Sequence, residues 1–185
     1  MRKIVLSLSM SLDGFIEGPN REIDWHLVDD ELMGHLVDLH RGISAFVSGR
    51  VTHELMVRDW PPIAADPDAP PLMADFAAIW VPKPKIVFSR TLETSDWNTS
   101  VKREVVVEEI RELQAQPGGD MALGGPELAA AFRELDLIDE YRVYVHPVLI
   151  GRGRPLFHPT DARSDLRLID THRFGNGVAL LHYAR

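Results

Sequence analysis

The stretch Met121-Ala122-Leu123-Gly124-Gly125-Pro126-Glu127-Leu128 constrains the fold of this chain more than any other, because an apolar strand ends there on two glycines and turns at once into a helix. Leu128, Phe132 and Leu135 recur at i, i+4 and i+7, the spacing of one helical face. Ala129 to Ala131 favour helix, and Pro126 stands where the first helical residue tolerates a missing N–H. Gly125 to Leu135 is therefore predicted to be an amphipathic helix with a defined start. The paired glycines admit two readings. They make a tight turn, or they let a ligand approach the backbone where unpaired N–H groups and the positive end of the helix dipole attract an anion such as a dinucleotide pyrophosphate.

Upstream, residues 2–10 read as a first strand, followed by loop signals at Asp13-Gly14 and Gly18-Pro19-Asn20. A helix is expected from about Val28, with Leu32, Leu36 and Leu39 on one face, then a strand from Ile43 to Ser48 and a short helix opened by Gly49-Arg50. Asp59 to Pro71 carries five prolines and is expected to be a loop bordering a pocket. A helix over Leu72 to Trp80, a strand over Lys85 to Ser89, short strands between Trp97 and Val105, and a helix over Val107 to Ala115 complete the alternation. Alternating strands and helices imply an α/β fold, a mostly parallel sheet flanked by helices on both faces. After residue 135 the pattern changes. Asp139 to Ile150, Leu166 to Phe174 and Val178 to His182 read as strands with no helix between them, so the sheet is expected to be mixed and to end in antiparallel hairpins.

Length and charge narrow the function. At 185 residues with no shift of composition, the whole span 1–185 is expected to form a single domain. A net charge of −8 argues against a sequence-independent grip on nucleic acid or an anionic membrane. The absence of cysteine excludes disulfides, thiolate catalysis and cysteine-based zinc sites, and suits a cytoplasmic setting. Arg2 and Lys3 ahead of Ile4-Val5-Leu6 look like the opening of a secretory signal, but Ser7, Ser9, Ser11 and Asp13 break the run. No histidine spacing suggests a metal site.

Two further junctions share the character of the first. Gly49-Arg50-Val51-Thr52 follows a strand and offers backbone donors, a hydroxyl and a guanidinium within one turn, and Ser89-Arg90 ends another strand with a hydroxyl and a guanidinium. Each alone reads equally as a surface turn with a solvated arginine. In a parallel sheet the three ends fall on one edge, where open α/β folds bind ligands. No G-x-G-x-x-G or P-loop sequence is present.

The ordered set Ser11-Leu12-Asp13-Gly14, Gly49-Arg50-x-Thr52, Phe88-Ser89-Arg90, Gly124-Gly125 and Val145-His146-Pro147-x-x-x-Gly151-x-Gly153-x-Pro155-Leu156-Phe157 resembles the dihydrofolate reductase superfamily. The likeness is nearest to its branch similar to the C-terminal reductase domain of bacterial riboflavin biosynthesis. The resemblance implies a dihydrofolate reductase-like fold, NADPH as cofactor, a small-molecule substrate, and a homodimer. It implies that Gly49, Arg50 and Thr52 meet the pyrophosphate and 2′-phosphate region, Ser89 and Arg90 the adenosine 2′-phosphate, and Gly124, Gly125 and Glu127 the pyrophosphate. Forked guanidinium groups suit the extra dianion of NADPH.

By the same resemblance Trp25 and Asp30 belong to the substrate pocket, with Asp30 orienting a pterin- or aminopyrimidine-like ring and assisting its protonation, and Asp13 shapes the loop over the nicotinamide. The residues themselves leave other roles open: Asp29, Asp30 and Glu31 also suit a helix start, and Asp13-Gly14 suits a plain turn. Gly151-Arg152-Gly153-Arg154 reads either as a phosphate receiver or as a hairpin with solvated arginines. Ser7 and Phe15 stand where riboflavin-pathway reductases usually carry lysines, and Lys83 is the nearest match to the arginine that clamps the folate glutamate. The expected activity is hydride transfer to a C=N or C=O carbon of a small heterocycle. The non-enzymatic alternative is a dimeric nucleotide-binding or sensory module on the same fold.

Overall fold

The computed structural model describes residues 1–159 and 163–185. Its main sheet has eight strands in the order β5-β4-β3-β6-β1-β7-β10-β9. These are β1 (Ile4–Ser11), β3 (Ala45–Gly49), β4 (Lys85–Phe88), β5 (Thr99–Lys102), β6 (Met121–Gly124), β7 (Glu140–His146), β9 (Arg167–Arg173) and β10 (Ala179–Ala184). From β5 across to β7 the pairings are all parallel, while β10 runs antiparallel to both β7 and β9. The mixed sheet with an antiparallel end follows from the loss of helices after residue 135, since sequential strands without a crossover helix close as hairpins. A small second sheet pairs β2 (Phe15–Glu17) with β8 (Arg154–Pro155).

Helices cover both faces because the central strands are apolar on both. Ala45 and Val47 of β3, with Met121 and Leu123 of β6, pack against Leu128, Ala129 and Phe132 of α5 (Pro126–Glu134) and Ile110 of α4 (Val107–Ala115). The intervening Phe46 and Ala122 point the other way, to Met33 and Val37 of α1 (Asp30–Arg41) and Phe76 and Trp80 of α3 (Pro71–Trp80). This alternation is the two-residue period of a strand buried on both sides.

Two expectations need correction. The proline-rich segment after Asp59 is not all loop: α2 runs from Arg50 to Ala65 with Pro61 and Pro62 inside it. Proline's fixed φ is compatible with a helix, and its cost is the lost N–H and the crowding of the preceding turn. Here that turn is half-buried to exposed, and Trp60 anchors it on α3 by packing 4.4 Å from the Phe76 ring. Second, the inward face of α1 is carried by Leu32, Met33, Val37 and His40, which turns Asp30 and Glu31 outward.

Candidate functional site

Strand register brings the three junctions together. Ser48 pairs with Gly124 and Gly49 pairs with Phe88, so β3, β4 and β6 end side by side. Helix α2 starts from Gly49 and α5 from Gly125, and neither helix has a side-chain cap on its first N–H groups. Gly125 has φ +90, and a Cβ added there would lie 2.5 Å from Thr52 Oγ1. Gly49 has open space where a Cβ would be, and at Gly124 the nearest atom is Thr52 Cγ2 at 3.9 Å. The edge is therefore a backbone cradle with two helix N-termini that lack side-chain caps, the arrangement that receives a phosphate group. Pro126 contributes no N–H, which leaves the amides of Gly125, Glu127 and Leu128 at the α5 start.

The flanking side chains divide. Arg50 is exposed and its Nη1 donates to both carboxylate oxygens of Glu54 at 2.9 Å. Arg90 is exposed with no hydrogen bond or ion pair among the described residues. Ser89 is buried, and its Oγ accepts from the N–H of Leu92 at 2.9 Å and of Thr91 at 3.2 Å, so the hydroxyl shapes the turn after β4. Glu127 is exposed and accepts from Arg154 Nη2 at 3.0 Å.

From the cradle a cavity of about 740 Å³ runs past Ser7 and Ser9 of β1 and Ile16 and Glu17 of β2 into a space walled by Phe46, Trp60, Phe76 and Trp80. Thr52, Gly124 and Gly125 line it, as do His26, His40, His53 and Lys85. His40 Nδ1 donates to Leu36 O at 2.6 Å, which leaves Nε2 of the neutral ring as an acceptor. Burial lowers the pKa of His26, His40 and His53. Lys85 is 2 % exposed, and burial holds its ammonium down at about 8.

The residues expected to carry chemistry are placed differently. Asp30 is exposed on the first turn of α1 and is not among the residues lining the cavity, while Asp29 caps the helix through the Leu32 N–H. Asp13 accepts from Ser11 Oγ at 2.6 Å and from the N–H groups of Gly151 at 2.7 Å and Ile150 at 3.3 Å. These bonds hold its carboxyl below the ordinary carboxylate range, the Ser11 bond most strongly, and buckle the β1–β2 turn to the segment after β7. Asp13 is a structural carboxylate. The same segment settles Gly151 to Arg154 as a turn and short strand, with Arg154 engaged by Glu17 and Glu127.

Trp25 stands behind His26, edge-on at 4.3 Å, and His146 stacks on His26 at 5.0 Å. His146 accepts the Leu27 N–H through Nδ1 at 3.1 Å. The cavity nitrogens His26, His53 and Lys85 escaped sequence reading. The one available signal was Lys85, a cation opening an otherwise apolar strand.

Among the described residues, no group of three or more His, Cys, Asp or Glu is placed to hold a metal ion, and no helix is long and apolar enough to cross a membrane. The RibD C-terminal domain model matches residues 2–180. The chain is 36 % identical over 183 residues to the uncharacterised protein YyaP of Bacillus subtilis, covering 98 % of this chain and 94 % of the relative. Its fold is similar to that of a Shewanella sp. PV-4 protein named for riboflavin biosynthesis, with TM-score 0.74 and 24 % identity over 100 % of this chain and 99 % of that one. A deaminase/reductase from Thermotoga maritima named for 5-amino-6-(5-phosphoribosylamino)uracil reduction has TM-score 0.66 and 16 % identity, over 99 % of this chain and 56 % of that chain. With its mixed sheet, glycine-ended strand edge and nearly full-length match, this chain belongs to the RibD C-terminal domain family, whose fold is dihydrofolate reductase-like.

Proposed function

We propose that this protein is an NADPH-dependent reductase that transfers hydride to a C=N or C=O carbon of a small, planar, heterocyclic or similar molecule. The observation that carries this reading is the glycine cradle at the ends of β3 and β6 opening directly into the large apolar cavity. NADPH, when bound, supplies the hydride.

The chain supplies the rest. Gly49 and Gly124 leave room for a pyrophosphate against the backbone, and the free N–H groups of α2 and α5 meet its charge. Thr52 fixes the cradle by filling the space beside Gly125. Arg50 and Arg90 flank the same edge and suit a 2′-phosphate, since a guanidinium fork binds such a dianion better than a hydroxyl does. The apolar walls exclude water from the reacting carbon and hold a flat ring in place. Cytoplasmic residence fits the same reading. So does a homodimer joined through the edge strand β9, where Leu168 and Ile169 are exposed.

Fluorescence titration is expected to give NADPH binding roughly tenfold or more tighter than NADH, with the preference lost in an Arg50→Leu/Arg90→Leu double variant. Absence of NADPH binding would sink the reading. Binding without oxidation across pterins, flavin precursors and carbonyl compounds would favour the non-catalytic module instead. Once a substrate is found, Asp30→Asn is expected to leave turnover unchanged, because its carboxylate faces solvent outside the cavity. A large drop in kcat would restore Asp30 to the mechanism.

A further inference from the structure

Among the described residues, the polar groups that line the cavity include a cation with no carboxylate partner and an imidazole with an open nitrogen. Lys85 Nζ donates to Trp80 O at 2.5 Å and Val81 O at 2.7 Å, and lies 4.0 Å from the centroid of the Trp80 ring. Those two carbonyls belong to the C-terminal end of α3, whose dipole favours a cation. No carboxylate pairs with Lys85 among the described residues. Its third N–H has no partner among the described residues, and the residue lines the cavity.

His53, from α2, is also 2 % exposed and lines the same space. Its Nε2 is 2.7 Å from Ser95 Oγ, and its Nδ1 is buried without a partner among the described residues. Burial, and after it the charge of Lys85, lowers the pKa of this ring. The only carboxylate among the described lining residues is Glu17, and it is engaged by Arg154 at 3.5 Å.

A buried ammonium facing only carbonyls and an aromatic ring is incompletely compensated, and a buried unpaired imidazole nitrogen is costly. Both lie beside the Trp80 ring, whose centroid is 4.0 Å from Lys85 Nζ and 6.4 Å from that of His53, and an anionic group that reached both would relieve them. It accepts the third Lys85 N–H, and it selects the His53 tautomer with the proton on Nδ1, the Ser95 hydroxyl then donating to Nε2. An amino-substituted ring edge meets no free carboxylate here. The walls of Phe46, Phe76 and Trp80 call for a flat, apolar body.

We propose that Lys85 and His53 form a subsite for the carboxylate-type anionic group of a planar aromatic substrate, resting on the reading of this cavity as the substrate site. The probes are benzoate and its neutral counterpart benzyl alcohol, titrated calorimetrically into the full chain with and without NADPH. Benzoate is expected to bind at least roughly tenfold more tightly than benzyl alcohol, and Lys85→Met is expected to erase that preference. In the wild-type protein, ¹⁵N-lysine NMR is expected to show the Lys85 ammonium resonance shifting with benzoate and not with benzyl alcohol, which decides the matter even if the variant fails to fold.

Equal affinities, no benzoate binding, or benzoate binding that leaves the Lys85 resonance unmoved would overturn the subsite. NADPH fluorescence in the same samples separates the two levels. NADPH binding without benzoate preference removes only the subsite, whereas benzoate at Lys85 without NADPH binding removes the reductase reading and leaves the anion subsite standing.

Discussion

Gly125→Ala is expected to destabilise the protein and abolish NADPH binding together, while Gly124→Ala is expected to keep the fold and lose only the coenzyme. At Gly125 the backbone holds φ +90, a conformation that costs a residue with a Cβ about 1–3 kcal/mol. The added methyl would also stand 2.5 Å from Thr52 Oγ1 and 3.4 Å from Thr52 Cβ, so the Thr52 side chain must give way to admit it. Thr52→Ala in the same chain removes the hydroxyl clash but not the φ strain, and should therefore restore part of the lost stability and not all of it. Gly124 carries neither penalty: its backbone is ordinary and its nearest neighbour is an ordinary 3.9 Å away. Its methyl instead occupies the space proposed for the pyrophosphate. Urea unfolding and NADPH titration of both variants check this. Equal coenzyme affinity in Gly124→Ala and wild type would show that the cradle binds nothing at that point.

The cradle was legible in the sequence because strand, glycine pair and helix are local, and because parallel pairing forces neighbouring strand ends onto one edge. The reading of α4 as Val107 to Ala115 succeeded for the same reason, its apolar period and ends being written within nine residues. What failed depended on which way a helix faces. Trp25 and Asp30 have a suggestive spacing, but Asp29 takes the cap and α1 then rotates Met33 and His40 inward and Asp30 out. Proline misled in the other direction. A surface helix pinned by Trp60 on Phe76 tolerates Pro61 and Pro62, and no local signal announces that distant contact. Lys85 stood out as a cation opening an apolar strand, but its placement was hidden because its partners are the carbonyls of Trp80 and Val81, and a carbonyl acceptor leaves no mark in sequence.

The second large effect concerns acid. His146 is fully buried, and burial pushes its pKa from an ordinary 6.5 down to about 4, with the neighbouring His26 adding to the shift. Between those two values the unfolded chain binds a proton at this ring and the folded chain does not. Stability is therefore complete above pH 6.5 and falls as pH drops towards 4, by about 3 kcal/mol from this residue alone. Burial shifts His26, His35, His40 and His53 in the same direction, so their contributions carry the same sign. The geometry explains why the folded state cannot easily accept the charge. His146 Nδ1 is already receiving the Leu27 N–H, and protonation there would set donor against donor and free the segment that carries Trp25 and His26. His146→Asn keeps an oxygen able to accept that N–H but cannot titrate. Urea unfolding of both proteins at pH 7 and pH 4.5 is expected to give a markedly smaller loss in the variant, and histidine NMR of the wild type should show the His146 ring neutral well below pH 6. An identical pH dependence in the two proteins would mean that acid acts through other groups and that the buried ring is not the sensitive point.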